Sequence, residues 1–275
     1  MTDHVEDTAT ATSGTTATPK TEARGVALVT GAARRIGRAI ALRLAAAGHD
    51  VAIHYGSSRK EAEDVATRIE RLGRRAALVA GDLADPEAPL KIVLDAVAAL
   101  GPLDVLVNNA SRFEPDTLQT LTLADWEAHI NINLRAPVFL AQAFAAQRRD
   151  RRRQGNIINI VDQRVLKLNP MFFSYTLSKT GLWTATRTMA QALAPENIRV
   201  NAIGPGPTLA NARMTEEDFA RQCALTLLGC GTSPEEIADA VMFILSAPAL
   251  TGQMIVLDGG QHLNWQTPDI TDVNE

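Results

Sequence analysis

The chain has little cysteine, few aromatic residues and no long apolar run, and each shortage excludes a class of protein. Its two cysteines, Cys223 and Cys230, are too few for a disulfide framework and are typical of a reducing cytosol. No run of roughly 18 apolar residues occurs, so a transmembrane helix is not predicted. A net charge of −4 gives no basic excess for binding the phosphates of a nucleic acid. We therefore expect a cytoplasmic protein with neither a nucleic-acid nor a membrane partner.

Aromatic residues make up only 4% of the 275 residues, and two of them are tyrosines, Tyr55 and Tyr175. Residues 1–23 are rich in Thr and Ala, include acids and have no apolar block. This composition predicts a disordered extension rather than a signal or transit peptide. Residues 24–262 are predicted to form one domain, and residues 263–275 a C-terminal tail.

Short apolar runs alternate with longer helical stretches throughout that domain. Strands are predicted at Val26–Thr30, Val51–Tyr55, Ala76–Ala80, Val105–Asn108, Ile157–Val161, Arg199–Ala202 and Met254–Leu257. Helices are predicted at Ile36–Ala47, Lys60–Leu72, Pro86–Leu100, Leu123–Gln147, Phe173–Leu193 and Pro234–Ser246. This alternation predicts an α/β fold: a single doubly wound Rossmann domain, with a seven-stranded parallel sheet and helices on both faces. Since no room is left for a substrate domain, substrate choice should come from loops around residues 111–116, 162–172 and 205–230.

The turn after the first strand has the composition of a dinucleotide-binding turn. It reads Thr30-Gly31-Ala32-Ala33-Arg34-Arg35-Ile36-Gly37 and leads directly into the first helix. Glycines here let the backbone approach a pyrophosphate, which sits on the helix N-terminus. Incidental glycines in a tight turn are the alternative, but the place between strand one and helix one favours the cofactor.

The end of the second strand indicates which dinucleotide binds. An NAD enzyme would place Asp or Glu there to bind the ribose 2′-hydroxyl. This chain instead reads His54-Tyr55-Gly56-Ser57-Ser58-Arg59-Lys60. Hydroxyls and cations hold a 2′-phosphate that a carboxylate would repel, so NADP(H) is predicted. Arg59 and Lys60 taken individually also fit a solvated helix start.

Tyr175 and Lys179 are four residues apart in a predicted helix and therefore share one face. A nearby ammonium favours the phenolate, so we expect Lys179 to lower the pKa of Tyr175 and make proton exchange feasible. The pair alone also occurs as an exposed tyrosine beside a lysine. It becomes a stronger signal beside the turn at Gly31, Asn108-Asn109-Ala110 after strand four, and Asn133.

Together these motifs resemble the short-chain dehydrogenase/reductase family over about residues 25–262, including Asn201–Gly206 and Leu257–Gly260. The resemblance implies that Tyr175 is the acid and that Lys179 lowers its pKa and holds the nicotinamide ribose. It also implies that Asn133 supports a proton relay.

Two residues depart from the usual pattern of that family. Asp162 stands thirteen residues before Tyr175, where a serine is usual, and Arg35 replaces the middle glycine of the first turn. A carbonyl reductase needs donors for a developing alkoxide, whereas an ionised carboxylate only accepts. Asp162 therefore suits a nitrogen heterocycle, although a protonated Asp162 could serve a carbonyl. A surface acid is the remaining alternative, and the position at a strand's C-terminal end disfavours it.

With these departures the chain resembles the pteridine reductases, including bacterial dihydromonapterin and dihydrofolate reductases of the short-chain type. The resemblance implies that Phe113 stacks on the pterin and that Ser111 contacts both cofactor and substrate. Ser58 would bind the 2′-phosphate, with help from Arg59 because Ser57 stands where an arginine is common. The predicted cofactor-binding residues are Gly31, Arg34, Arg35, Ile36, Gly37, His54, Tyr55, Ser57, Ser58, Asp82, Leu83, Asn109, Ala110, Ser111, Tyr175, Lys179, Pro205 and Gly206. The predicted substrate-binding residues are Arg35, Ser111, Phe113, Asp162 and Tyr175, the catalytic residues are Asp162, Tyr175, Lys179 and Asn133, and no metal site is predicted.

The function predicted is NADPH-dependent reduction of a pterin C=N bond, with Tyr175 as proton donor. Reduction of a ketone or 3-oxoacyl thioester is the alternative, and a non-catalytic NADPH sensor is a third that the intact Tyr175, Lys179 and Asn133 disfavour. The resemblance also implies a homotetramer built on helices around residues 124–147 and 173–193.

Three further features are expected to have no catalytic role. The arginine-rich stretch 148–153 at a helix end is expected to be solvated. Cys223 and Cys230 are expected to be ordinary thiols in a segment, residues 211–230, that the resemblance implies is a mobile lid. His262 and Trp265 are expected to be structural.

Overall fold

The computed structural model describes residues 24–148, 152–210 and 213–266. Residues 1–23, predicted as an extension, and residues 267–275 of the predicted tail lie outside the described residues. The described strands are Val26–Val29 (β1), Asp50–Tyr55 (β2), Ala76–Ala80 (β3), Val105–Asn108 (β4), Gly155–Ile160 (β5), Ile198–Pro205 (β6) and Met254–Leu257 (β7). The described helices are Arg35–Ala46 (α1), Arg59–Arg71 (α2), Ala88–Leu100 (α3), Leu123–Ile130 (α4), Ala136–Gln147 (α5), Phe173–Leu193 (α6), Glu216–Ala224 (α7) and Pro234–Ser246 (α8).

The strands form one parallel sheet in the order β3-β2-β1-β4-β5-β6-β7. Side chains of β1 alternate between the two faces: Ala27 and Val29 pack with α1, α2 and α8, whereas Val26 and Leu28 pack with α3, α5 and α6. Each face is covered by helices, as expected for strands that are apolar on both sides. The predicted doubly wound fold is confirmed.

The strand order reverses between β1 and β4, and this reversal creates the crevice in which ligands of such sheets bind. Two side chains anchor the turn after β1 at this crevice. Nδ1 of His54 accepts a hydrogen bond from the Gly31 N–H at 3.2 Å. Nδ2 of Asn109 donates to the Thr30 carbonyl at 2.8 Å. The turn after β1 is therefore anchored to β2 and β4.

The single helix predicted over Leu123–Gln147 is wrong, because a π-helical turn at Asn131–Arg135 separates α4 from α5. Pro137 lies at the start of α5 and has no N–H. The Asn133 carbonyl therefore cannot accept the α-helical hydrogen bond from residue 137, and the ladder is interrupted there. The apolar pattern continues through the interruption, which explains why the sequence reads as one helix.

Two other predictions need correction. The sequence reading places no helix at α7, although Thr215 caps it by accepting from the Asp218 N–H and acids fill its first turn. Strand β6 extends to Pro205 because Gly204 and Pro205 still pair with Val256 and Leu257, despite a composition typical of a strand end.

Candidate active site

A cleft of about 530 Å³ opens at the carboxyl edge of the sheet. Each of the three loops expected to control substrate choice contributes to its wall. Ser111 and Phe113 come from the first loop, Gln163 and Phe172 from the second, and residues 205–209, 213, 214, 219 and 222 from the third. Predicted site residues that line this cleft are Arg35, Ile36, Asn109, Ser111, Phe113, Asp162, Tyr175, Lys179, Pro205 and Gly206.

Asp162 and Tyr175 are in direct contact at the centre of the cleft. Asp162 follows β5, and its Oδ1 accepts from the Arg164 N–H at 2.8 Å, which caps the short turn Gln163–Val165. Tyr175 lies in the first turn of α6, and its hydroxyl donates to Oδ2 of Asp162 at 2.8 Å. The carboxylate at the position of the usual serine is therefore part of the site and not a surface acid.

Burial dominates the protonation of this pair. Burial raises the pKa of Asp162, although the Arg164 N–H and the Tyr175 hydroxyl oppose this by hydrogen bonding to the carboxylate. The pKa of Tyr175 is raised well above 10 by burial and by the negative charge of Asp162. The expectation of a lowered pKa for Tyr175 is therefore wrong in this geometry, because a buried phenolate beside a carboxylate is unfavourable. Tyr175 is held in its protonated form, ready to donate.

Lys179 lies one helical turn beyond Tyr175 and is buried. Its Nζ donates to the Ile160 carbonyl at 2.8 Å and lies 5.7 Å from the centre of the Tyr175 ring. Burial lowers the pKa of Lys179 to about 8, and the charge of Asp162 opposes that shift. The Lys179 amine is therefore mostly protonated at neutral pH, but it loses its proton at a lower pH than an exposed lysine does.

Asn133 occupies the π-helical turn between α4 and α5 and is fully buried. Its Nδ2 donates to the Arg112 carbonyl at 3.0 Å and to Oγ of Ser178 at 3.1 Å, while its Oδ1 accepts from the Arg112 N–H at 2.8 Å. The Ser111 hydroxyl also donates to that Oδ1, at 3.2 Å. Asn133 therefore connects the loop after β4 to the helix that carries Tyr175.

Phe113 lies against Tyr175 in an aromatic cluster. Its ring centre is 4.7 Å from that of Tyr175 in an edge-on arrangement. Phe172 stacks on Phe113 with centres 4.4 Å apart and planes 4° from parallel. The Arg164 guanidinium lies 4.8 Å from the Phe172 ring centre and the Arg213 guanidinium 5.7 Å from that of Phe113. Sequence reasoning missed Phe172, whose position just before α6 was its only signal.

A buried polar network braces the same region and was also missed. The Ser174 N–H donates to both carboxylate oxygens of Asp116 at 3.2 and 3.3 Å, so Asp116 caps the N-terminus of α6 from a distant loop. The Ser174 hydroxyl donates to Asp116 and lies 2.7 Å from Nδ1 of His129. Nε2 of His129 accepts from the Glu114 N–H at 3.2 Å. These bonds hold the loop that carries Phe113 against the turn that carries Tyr175.

The first turn has the shape that a dinucleotide requires. A Cβ on Gly37 would lie 2.2 Å from the Gly31 carbonyl oxygen, so only glycine allows this close approach of helix and strand. Arg35, at the place of the usual glycine, adopts the left-handed conformation with φ 51°, which glycine adopts easily. Its guanidinium donates to the carbonyls of Leu209 and Ala210 at 3.2 and 2.8 Å. Arg35 thus connects this turn to the loop after β6.

At the end of β2 the predicted residues divide into two groups. Nε of Arg34 donates to the Ser58 hydroxyl at 2.8 Å, so a cation and a hydroxyl stand together where the 2′-phosphate is expected. Ser57 and Asp82 are exposed beside them. His54, Tyr55 and Leu83 are buried instead, and the Tyr55 ring belongs to the apolar core. Burial lowers the pKa of His54 to about 4, so it stays neutral while it accepts from Gly31.

The remaining features concern His262, the two cysteines and the described helices. Nδ1 of His262 lies 2.7 Å from Oδ2 of Asp258, which fits the expected structural role. Cys223 and Cys230 are free thiols. None of the described helices is long and apolar enough to cross a bilayer.

The chain matches known protein families over nearly all of this fold. The family model described as enoyl-(acyl carrier protein) reductase matches residues 31–262. A 3-oxoacyl-[acyl-carrier-protein] reductase of Synechocystis sp. is 34% identical over 240 residues, which are 86% of this chain and 96% of the relative. The chain belongs to the short-chain dehydrogenase/reductase family, as its motifs imply.

Solved structures show a stronger similarity. FolM alternative dihydrofolate reductase 1 from Brucella suis, in complex with NADP, is 48% identical, with a TM-score of 0.86 over 90% of this chain and 99% of its own. A blue fluorescent protein from a metagenomic library, in complex with NADPH, is 36% identical, with a TM-score of 0.80 over 86% of this chain and 98% of its own. The protein is an NADP(H)-dependent short-chain reductase, which confirms the cofactor predicted from the end of β2.

Proposed function

We propose that the protein reduces a C=N bond of a pterin, of the dihydropterin or dihydrofolate class. The observation that carries this proposal is the 2.8 Å hydrogen bond from Tyr175 to Asp162. A carboxylate beside the proton donor accepts hydrogen bonds from the amino group and ring N–H of a nitrogen heterocycle, whereas a serine at this position would serve a carbonyl oxygen. Identity of 48% to the Brucella suis FolM alternative dihydrofolate reductase supports the same substrate class.

We assign each residue of the cleft a separate role in this reaction. When bound, NADPH supplies the hydride. Tyr175, kept protonated by burial and by Asp162, gives a proton to the ring nitrogen, and Asp162 accepts from the amino groups beside it. Phe113 provides an aromatic ring in the wall of the cleft, and its parallel contact with Phe172 is the kind of contact that a pterin ring would make with it. Lys179 holds positive charge beneath Tyr175, and the Asn133 network fixes the loop before Phe113.

A 3-oxoacyl thioester is the second candidate substrate. Burial raises the pKa of Asp162, and a protonated Asp162 would donate to a carbonyl as a serine does. The 34% identity to the Synechocystis sp. 3-oxoacyl-[acyl-carrier-protein] reductase favours this alternative to a similar degree. The two candidate substrates therefore require different protonation states of Asp162: ionised for a pterin and protonated for a 3-oxoacyl thioester.

A sensor that binds NADPH without catalysis is less well supported, because the hydrogen bond between Tyr175 and Asp162, with Lys179 near the Tyr175 ring, is an arrangement that a sensor does not need. A homotetramer stays a prediction. Leu123, Phe139 and Leu177, on the helices expected at its interfaces, are 72%, 48% and 41% exposed in the single chain. A cytoplasmic location also stays a prediction.

NADPH oxidation with dihydrobiopterin, dihydromonapterin, dihydrofolate and 3-oxoacyl or ketone substrates tests the proposal. We expect dihydropterins to be reduced with the higher kcat/KM. In Asp162→Ser, pterin reduction should fall about tenfold or more, because a charge-assisted hydrogen bond to the substrate is lost. Carbonyl reduction in the same variant should be unchanged or faster. Carbonyl turnover far above pterin turnover in the unmodified protein would contradict the proposal.

A further inference from the structure

A second, smaller pocket of about 230 Å³ adjoins the catalytic cleft. We call it the amide pocket, because five of its lining residues are Asn or Gln. The other lining residues are two cations, Arg164 and Lys167, and two leucines, and no acid is among the described residues that line it. Four residues line both the pocket and the cleft: Gln163, Arg164, Gln222 and Gln261.

Neither cation of the amide pocket forms a salt bridge with a described acid, although the charge of Arg164 also acts on the Asp162 carboxylate. Among the described residues, Lys167 Nζ contacts the carbonyls of Gln261 and Asn264, at 3.4 and 3.5 Å, which are long distances for an ammonium. The Arg164 guanidinium lies on the Phe172 ring and forms no salt bridge with a described acid. Two cations therefore line a small polar space whose carboxamides offer both donors and acceptors.

Gln163 gives a second, independent indication of a ligand. It is only 7% exposed, and its Oε1 has no hydrogen-bond partner among the described residues. A buried acceptor without a partner costs free energy, and the donor that it lacks would be an N–H or O–H of the ligand, such as the amide N–H of a folate side chain. Gln163 directly follows Asp162, so a group bound here lies beside the ring that Asp162 binds.

We propose that the amide pocket binds an anionic substituent of the substrate, with Lys167 and Arg164 as its counter-charges and the carboxamides as additional hydrogen-bond partners. The inference rests on the proposed function, since the ring of the same substrate is held at Asp162 and Tyr175. Among pterins, it selects those that carry a charged side chain, such as the carboxylates of dihydrofolate or the phosphate of a phosphorylated dihydropterin. A pterin with only a neutral hydroxylated side chain brings no counter-charge to Lys167 and binds less tightly.

The test compares substrates that differ in charge but keep the same ring. Dihydrofolate and its dimethyl ester have nearly the same shape, and a phosphorylated dihydroneopterin and dihydroneopterin form a second pair. We expect KM to be about tenfold lower for the charged member, the effect of one charge-assisted hydrogen bond. Whichever pair shows the difference identifies carboxylate or phosphate as the preferred anion.

Lys167→Met should remove the preference by raising KM for the charged substrate about tenfold, with kcat and the KM of the neutral substrate unchanged. The matched control is Lys91→Met, which removes an exposed lysine paired with Asp95 on α3, remote from the cleft. It should change none of these constants.

Two outcomes would overturn the inference, and each can be distinguished from a failure of the proposed function. If neutral and charged pterins have equal KM and Lys167→Met changes neither, the amide pocket has no such role, although pterin reduction stands. If no pterin is reduced, the proposed function fails. The inference is then decided by an NMR titration of the unmodified protein and of Lys167→Met with N-(4-aminobenzoyl)-L-glutamate. Binding that Lys167→Met weakens supports an anion site, whereas equal or absent binding overturns it.

Discussion

At the scale of single residues, the site depends on three titratable groups whose protonation is set by burial as much as by one another. Tyr175 is kept protonated by burial and by Asp162, and the same carboxylate is the charge that supports the Lys179 ammonium. Spacing in the sequence brings Tyr175 and Lys179 to one face of a helix. It does not show that both would be buried beside an acid, and therefore the sign of the Tyr175 shift was predicted wrongly.

We expect Lys179 to give the reaction a pH dependence. Its pKa is lowered to about 8, so kcat should fall as pH rises through about 8 and the ammonium is lost. Tyr175 cannot produce this limb, because its pKa is raised well above 10. In Asp162→Asn the limb should move to lower pH, since the charge that raises the pKa of Lys179 is removed. A kcat profile measured at saturating NADPH checks both, and an alkaline limb at the same pH in both proteins would contradict this assignment.

At the scale of elements, α6 is positioned from its N-terminus. Its first residues lack a cap of their own: Phe172 precedes the helix with φ 56°, and Asp116 supplies the capping carboxylate from the loop that follows Phe113. This arrangement couples the loop and the helix, so that Phe113 and Tyr175 are placed together. The sequence predicts the helix bounds correctly, but a cap that comes from a residue far along the chain leaves no local signal.

Asp116→Ala should lower the stability by about 1 to 2 kcal/mol through loss of the cap, and should reduce kcat by about tenfold to a hundredfold because Tyr175 is displaced. Ser233→Ala is the matched control: it removes the cap of α8, where Ser233 accepts from the Glu236 N–H at 3.1 Å. It should cost similar stability without changing kcat. Urea unfolding and steady-state kinetics measure the two effects, and an equal loss of kcat in both variants would refute the coupling.

At the scale of the whole molecule, a buried ion pair holds together the edge of the sheet opposite the cleft. Arg148 was expected to be solvated, but its side chain is only 4% exposed. It lies 3.6 Å from Asp104 and donates to the Leu103 carbonyl at 3.0 Å. Gly155 makes room for it, because a Cβ there would lie 2.8 Å from the guanidinium. The end of α5 and the beginnings of β4 and β5 are joined at this point.

Arg148→Ala should destabilise the protein by about 1 to 3 kcal/mol, because it removes the buried hydrogen bond to the Leu103 carbonyl and leaves Asp104 with only the exposed Arg153 as a described charged partner. Arg71→Ala, which removes an exposed arginine at the end of α2, should change stability by less than about 0.5 kcal/mol. Urea unfolding compares the two variants. Since Arg148 is remote from the cleft, kcat of the folded variant should be unchanged, and equal stabilities of the two variants would disprove the structural role.

The fold class, the parallel sheet, the dinucleotide-binding turn and the spacing of Tyr175 and Lys179 can all be predicted from the amino-acid sequence. These features depend on local periodicity and on fixed spacings, which are visible in one dimension. Features that depend on residues far apart in the chain are visible only in the folded molecule: the cap of α6 by Asp116, the stacking of Phe172 on Phe113, and the burial of Arg148. The same holds for the pKa of Tyr175, because desolvation and the distance between charges exist only after the chain has folded.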